Sequence, residues 1–302
     1  MVYKTYISKY ATIVSNSKVN TGINPISELV YGKGNIVSRG LVYFDHSRLS
    51  ELIEDGTMVD QSKMTHTLHI TNASSLDFTQ IHQCEGSSIN DNKKIRATSF
   101  DLIFFLIPGK GFDYTKNYFN ASFYSSSVVD KDRLISTDGC NWFNSRNGIP
   151  WDENGIYTNE HLSREYDKFS ANEESIVIAR QRFDIGNESI SVDITDTVNK
   201  FISGELENHG IGIAFSPMTE LTDSEYENYI GFLTDKTNTF FEPYLETRYD
   251  DVVSDDRSNF VLNKDNRLYL YCTIGDHLDD LDDCPTVTIV DGDDNIVLSP
   301  TK

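Results

Sequence analysis

The chain has 302 residues, 38% of them hydrophobic and 12% aromatic; this is enough to bury a proper core, as one large all-β domain with an appendage or as two ordinary domains. The formal charge of −21 repels phosphate backbones and anionic headgroups. Lys and Arg are scattered, with Lys93-Lys94 the densest pair, so neither nucleic-acid binding nor membrane-surface binding is expected.

The first ten residues, MVYKTYISKY, lack a basic segment followed by an apolar run, and no signal peptide is expected. Turn residues then separate a series of short strands: Tyr10–Val14, Leu41–Asp45, Thr65–Asn72, Ser99–Ile107, Ala121–Tyr124, Ser175–Ile185, Ser189–Thr195, Gly210–Ser216, Tyr229–Leu233 and Tyr244–Tyr249, with alternation plain in two of them. Met64, His66, Leu68 and Ile70 share one face, opposite Thr65, Thr67 and His69. Ile190, Val192 and Ile194 likewise oppose Ser191, Asp193 and Thr195. Leu102–Pro108, the longest apolar stretch, is strand-sized and far below membrane length.

Two short helices interrupt the strands. Ser47 is expected to cap one carrying Leu49, Leu52 and Ile53, and Thr195 or Asp196 the other, carrying Val198, Phe201 and Ile202. Residues 251–260 read as a polar linker. Beyond it, residues 261–302 hold three further strands, Arg267–Ile274, Thr286–Val290 and Ile296–Leu298. That is too little to close a core alone, so these strands are expected to dock on the first domain, to dock on another subunit, or, the favoured reading, to form a partial Ig-like domain whose natural chain continues past Lys302. The fold class is therefore all-β, a sandwich or barrel pattern over 1–250 with two short helices, then a small Ig-like β segment.

An ordered set of motifs runs through residues 1–250. Ala11-Thr12-Ile13, Asn20-Thr21-Gly22 and Ser38–Asp45 give a strand, a turn and an Arg-led strand ending in Phe-Asp. Thr67–Ala73 follows, then Asn141-Trp142, Ile149-Pro150-Trp151 and Asn154-Gly155. Ser191–Phe201, Asn208–Phe215 and the closing Thr237–Tyr249 complete the series. In order and kind these resemble the disaggregatase-related (DNRLRE-type) jelly-roll family, in the versions found in structural proteins of tailed bacteriophages. The resemblance implies a jelly-roll β-sandwich over 1–250, a structural role in a virion where a signal peptide is missing, a surface or carbohydrate-binding role where one is present, and no catalytic residues.

The residues themselves offer little chemistry. No GxSxG elbow occurs. Asp45 and His46 are strand neighbours, so they face opposite sides and cannot work as orienter and base. The same reasoning separates His66 from His69 as metal ligands. Asp291, Asp293 and Asn295 begin a calcium-loop pattern, but Ile296 and Lys302 stand where Gly and Glu are needed, which favours a plain turn. Cys84, Cys140, Cys272 and Cys284 form no CxxC pair; four free thiols are the simplest reading, with a Cys272–Cys284 bridge left open. Trp142 and Trp151 have two readings: stacking on a sugar ring, or filling a core or subunit interface.

The expectation is thus a non-enzymatic virion protein, made in the host cytoplasm: a head or tail fibre or decoration subunit, with no cofactor and no metal. Its partners would be itself, as a dimer or trimer, and other virion proteins. The alternative is a carbohydrate-binding module or adhesin for host glycan that uses Trp142 and Trp151.

Overall fold

The computed structural model describes residues 1–18, 21–54, 57–58, 63–73, 94–108, 128–130, 135–136, 139–146 and 149–249, and beyond these 261, 264, 266, 273–274, 277–278, 289–290 and 296–298. The chain divides into two compact units, Met1–Asp250 and Asp251–Lys302.

Among the described residues the first unit carries fifteen strands in chain order. They are β1 (Val2–Val14), β2 (Ile26–Gly32), β3 (Ile36–Phe44), β4 (Thr65–Ile70), β5 (Lys94–Arg96), β6 (Phe100–Leu106), β7 (Val128–Asp130) and β8 (Ile135–Ser136). After them come β9 (Asn144–Arg146), β10 (Ile149–Pro150), β11 (Val177–Phe183), β12 (Ile190–Asp193), β13 (Ile211–Phe215), β14 (Glu227–Leu233) and β15 (Tyr244–Arg248). The helices are α1 (Ser47–Glu54), α2 (Asn159–Ser170), α3 (Thr195–Ile202) and the single turn α4 (Pro217–Glu220).

Strand β1 belongs to both layers of a sandwich. Val2–Tyr6 pairs antiparallel with β15, and Ile7–Val14 pairs with β3 across a register shift between Ile7 and Lys9. Such an irregularity bends a strand and lets it switch sheets. The first layer runs β12-β4-β15-β1 and the second β1-β3-β13-β6-β11, with β2 and β14 extending it next to β3. At the far rim β11 and β12 share no backbone ladder. The Gln181 amide spans them instead, donating to Ser189 O (2.9 Å) and accepting from Ser191 N (2.8 Å). The two layers nearly close into a barrel, and the all-β jelly-roll-like sandwich expected from the sequence is what forms.

Between the layers lies the main core. Leu68, Ile70, Ile190, Val192 and Leu245 from one sheet meet Val42, Phe44, Phe100, Leu102, Phe104, Ile211, Ile213 and Phe215 from the other. A second core lies on the opposite face of β1-β3-β13-β6-β11. There Ala11, Ile13, Leu41, Ile103, Phe105, Val177 and Ala214 pack against Cys140, Trp151, Ile156 and Leu162. Strands buried on both faces read as continuous apolar runs, which is why Leu102–Phe105 is apolar throughout while β4 and β12 alternate.

Helices α1 and α3 stand where the sequence places them, with Leu49 and Leu52, and Val198 and Phe201, turned to the core. The first cap differs from expectation. Ser47 is already helical, and Asp45 Oδ1 accepts from Ser47 N (2.9 Å) and from the Ser47 hydroxyl (2.7 Å). An ionised carboxylate outcompetes a hydroxyl for these donors and favours the helix N-terminus. At α3 the corresponding acceptor is Asp193, which bonds Thr195 N (2.9 Å), not Thr195 or Asp196. Helices α2 and α4 correct the expected count of two. Helix α2 is capped by Thr158, which accepts from His161 N, and it buries Leu162 over the second core.

The turn from β11 to β12 is held by one side chain. Glu188 accepts from the backbone N–H of Asp184 (2.8 Å), Ile185 (3.0 Å) and Asn187 (3.0 Å). Desolvation opposes the charge, but these hydrogen bonds outweigh it and hold the carboxyl below the usual carboxylate range. A depressed folded-state pKa stabilises above the unfolded value of about 4.3 and is lost as pH falls through the folded one. Glu188→Ala is therefore expected to cost about 1 kcal/mol at pH 7, as for a lost cap. The difference from the parent chain should shrink in urea titrations below about pH 4, where the parent carboxylate also protonates.

In the second unit, Thr273–Ile274 pairs with His277–Leu278, and Ile289–Val290 with Ile296–Leu298, both antiparallel. The residues at 84, 121–124, 272, 284 and 291–295, and the linker 251–260, lie outside those described.

Candidate interaction surface

The segment that carries the two tryptophans is built around a buried ion pair. Arg39, on β3, points into the second core with 1% of its surface exposed. Its Nε and Nη2 donate to the two oxygens of Glu220 at 3.0 and 2.6 Å. Nη1 donates to the carbonyls of Gly155 (2.8 Å) and Tyr157 (2.6 Å). Asn159, at the start of α2, donates to Glu220 Oε2 (3.1 Å). One guanidinium thus ties β3, the 155–157 turn, α2 and α4 together with the fork geometry that only arginine offers.

Both indoles fall within this assembly. Trp151 is buried, and its Nε1 donates to Asn141 O (2.8 Å). Trp142 is half-buried and packs against the second core. The Arg39 guanidinium carbon stands 5.1 Å from its ring centroid. A Cβ placed on Gly155, whose φ is +72°, would come within 2.6 Å of the same ring. Glycine is required there on both counts. Sugar stacking needs a free aromatic face. Trp151 offers none; Trp142 is half-buried, with Arg39 and Gly155 against its ring.

The histidine geometry follows from strand parity. His66 is fully buried, with Nδ1 2.9 Å from the Thr247 hydroxyl, and burial pushes it down to about 4. His69 lies on the opposite face of β4, stacked on Tyr244 at 5.0 Å. Asp45 and His46 also turn apart: Asp45 caps α1, while His46 Nδ1 is 3.2 Å from the Asn208 amide. Buried Cys140 is raised to about 12 by desolvation, which leaves it a neutral core thiol. Among the described residues no cluster of three His, Cys, Asp or Glu is placed to hold a metal. A shallow groove of about 370 Å³ is lined by Thr65, Ile178 and residues 193–197; it pairs no base with a nucleophile.

The outer face of the first sheet has no counterpart among the motifs of the sequence. Register places Lys4, Glu246, Thr67 and Asp193 in one row across β1, β15, β4 and β12. Tyr6, Tyr244, His69 and Ser191 form the next row. The Tyr6 and Tyr244 rings meet edge-on at 6.3 Å, and Lys4 Nζ lies 4.0 Å from the Tyr244 centroid. Tyr6 and Val2 are each 54% exposed, and Phe240, in the connection leading into β15, is 88% exposed. The second sheet, by contrast, is covered on its outer side by α2 and the tryptophan segment. A signal for this face does exist: the alternation of Val2, Lys4 and Tyr6 is a strand pattern.

Fold and surface together define a two-layer antiparallel β-sandwich with one sheet covered and, among the described residues, no element over the outer face of the other. No family model matches the chain, and the curated proteins yield no match. No helix among the described residues is long and apolar enough to cross a membrane.

Proposed function

We propose that the chain is a non-catalytic structural subunit, a bacteriophage virion component of fibre or decoration type that works through contacts with copies of itself and with neighbouring virion proteins. The observation that carries this reading is the asymmetry of the sandwich. One outer face is sealed by a second core and a buried ion pair, while the other is polar-aromatic and, among the described residues, carries no covering element. A body stiffened in this way suits the transmission of contacts, and exposed aromatics are what subunit interfaces enrich. The ordered resemblance to jelly-roll virion proteins supports the same reading. The glycan-binding alternative drew on Trp142 and Trp151; burial of Trp151 and the packing of half-buried Trp142 against the second core weigh against it.

Light scattering coupled to size-exclusion chromatography tests it. A dimer or trimer that populates as concentration rises is the expected outcome. A monomer persisting to roughly millimolar concentration overturns self-assembly as the role.

A further inference from the structure

We infer that the outer face of the β12-β4-β15-β1 sheet is the self-association surface. It takes a second copy of the chain face to face, about a two-fold axis parallel to the strands, with Lys4 of each copy against Asp193 of the other. This rests on the self-assembly reading above and specifies its surface.

Charge singles this face out. The chain as a whole carries −21, so two copies repel over most of their surfaces. The outward positions of this sheet hold two cations, Lys4 and Arg248, and two anions, Glu246 and Asp193; 2 − 2 leaves no net charge. Glu246 is neutralised within its own strand by Arg248, at 2.6 Å. That leaves a positive edge at Lys4 and a negative edge at Asp193. Three strand spacings separate them, about 14 Å, too far to pair within one copy.

The register then selects the symmetry. Lys4 and Asp193 lie in one row, at its two ends. A two-fold axis along the strands, through the middle of the sheet, lays this row over its own reverse. Lys4 meets the opposing Asp193 twice, Glu246 meets Thr67, and Tyr244 meets His69. An axis across the strands instead sets β1 over β1 and β12 over β12, so Lys4 approaches Lys4 and Asp193 approaches Asp193. Like-charge contacts disfavour that arrangement. Aligned packing of two sheets about 10 Å apart is an ordinary β-sandwich geometry, and an isologous contact requires this kind of self-complementarity.

Four strands of about five residues present roughly 300 Å² per copy, well below the ~800 Å² of a standard stable interface. The association is therefore weak and reversible alone, and gains strength where many copies are arrayed.

The test is a charge exchange read by sedimentation equilibrium. Lys4→Glu and Asp193→Lys are each expected to weaken self-association about tenfold or more, because each homodimer then carries two like-charge contacts. Mixing the two variants restores it, since both contacts in the mixed dimer become attractive again. Asp193→Asn keeps an acceptor for Thr195 N–H and isolates the charge if Asp193→Lys loosens α3; it too is expected to weaken association. Thermal midpoints and circular dichroism confirm that the variants are folded. A parent chain that stays monomeric overturns the self-assembly reading and this inference with it. An oligomer indifferent to both variants overturns the inference alone, as does weakening by both with no recovery on mixing.

Discussion

Replacing Arg39 with methionine is expected to destabilise the first unit by about 3–5 kcal/mol, measured as a shift in the urea midpoint at unchanged m-value. The reason is what the substitution leaves behind more than what it removes. Glu220 is 6% exposed, and without the guanidinium its carboxylate has only the Asn159 amide as a side-chain partner. The carbonyls of Gly155 and Tyr157 lose their Nη1 donor as well. Arg39→Lys is expected to fall close behind, because one ammonium cannot reproduce a bidentate fork and two carbonyl bonds at once. A double variant, Arg39→Met with Glu220→Leu, is expected to recover part of the loss, since no uncompensated charge then remains buried. Recovery stays incomplete because the two carbonyls are still orphaned. A double-mutant cycle over these variants measures the coupling. Additive losses with no recovery would show that the ion pair is not what holds the tryptophan segment to the sandwich.

Gly212→Ala is expected to give the second large effect, at the upper end of the roughly 1–3 kcal/mol that overpacking costs. Gly212 lies opposite Phe105 in the β13–β6 ladder. A Cβ built on it would overlap the Phe105 ring. The aromatic ring lies across the glycine and fills the space that a side chain would otherwise take. Phe105 cannot move aside easily, being fully buried and set edge-on to Tyr157 at 5.8 Å. Phe105→Ala alone is expected to cost about 3–5 kcal/mol through the cavity it opens. In combination the two losses should be less than additive, because the new methyl occupies part of that cavity. Denaturant melts of the two single variants and the double variant decide it; strict additivity would mean that ring and glycine do not share the space.

Much of the architecture is legible in the sequence. The alternation in Met64–Ile70 and in Ile190–Ile194 fixes which face of β4 and β12 is buried, and parity alone puts His66 and His69 on opposite sides. Local spacing also locates α1 and α3. Helix α2 carries a readable pattern, with Thr158 as cap and Leu162, Tyr166 and Phe169 at helical spacing, yet it is absent from the expected elements because strand signals around it are weak. The N-terminal half of β1 and all of β2 escape for a different reason. In the first half of β1, Tyr, Lys, Thr and Ser dominate, and a half-exposed strand of that composition resembles a loop until its partners are known; β2 is short, with Ser27, Glu28 and Gly32 interrupting its apolar residues.

What the sequence by itself determined is the chemistry of each strand: its period, the side it buries, and the acidity that keeps copies apart. Periodicity acts over a few residues and needs no partner to be visible. Only the tertiary structure decided the rest. It turned the apolar run of β6 into a strand buried on both faces, and set Arg39 against Glu220 across 181 positions of chain. It also buried Trp151, packed Trp142 against the second core, and aligned Lys4 with Asp193 at opposite ends of one row. Each of these depends on which strands become neighbours and in what register. Pairing is set by the collective packing of two sheets, to which no single segment holds the key.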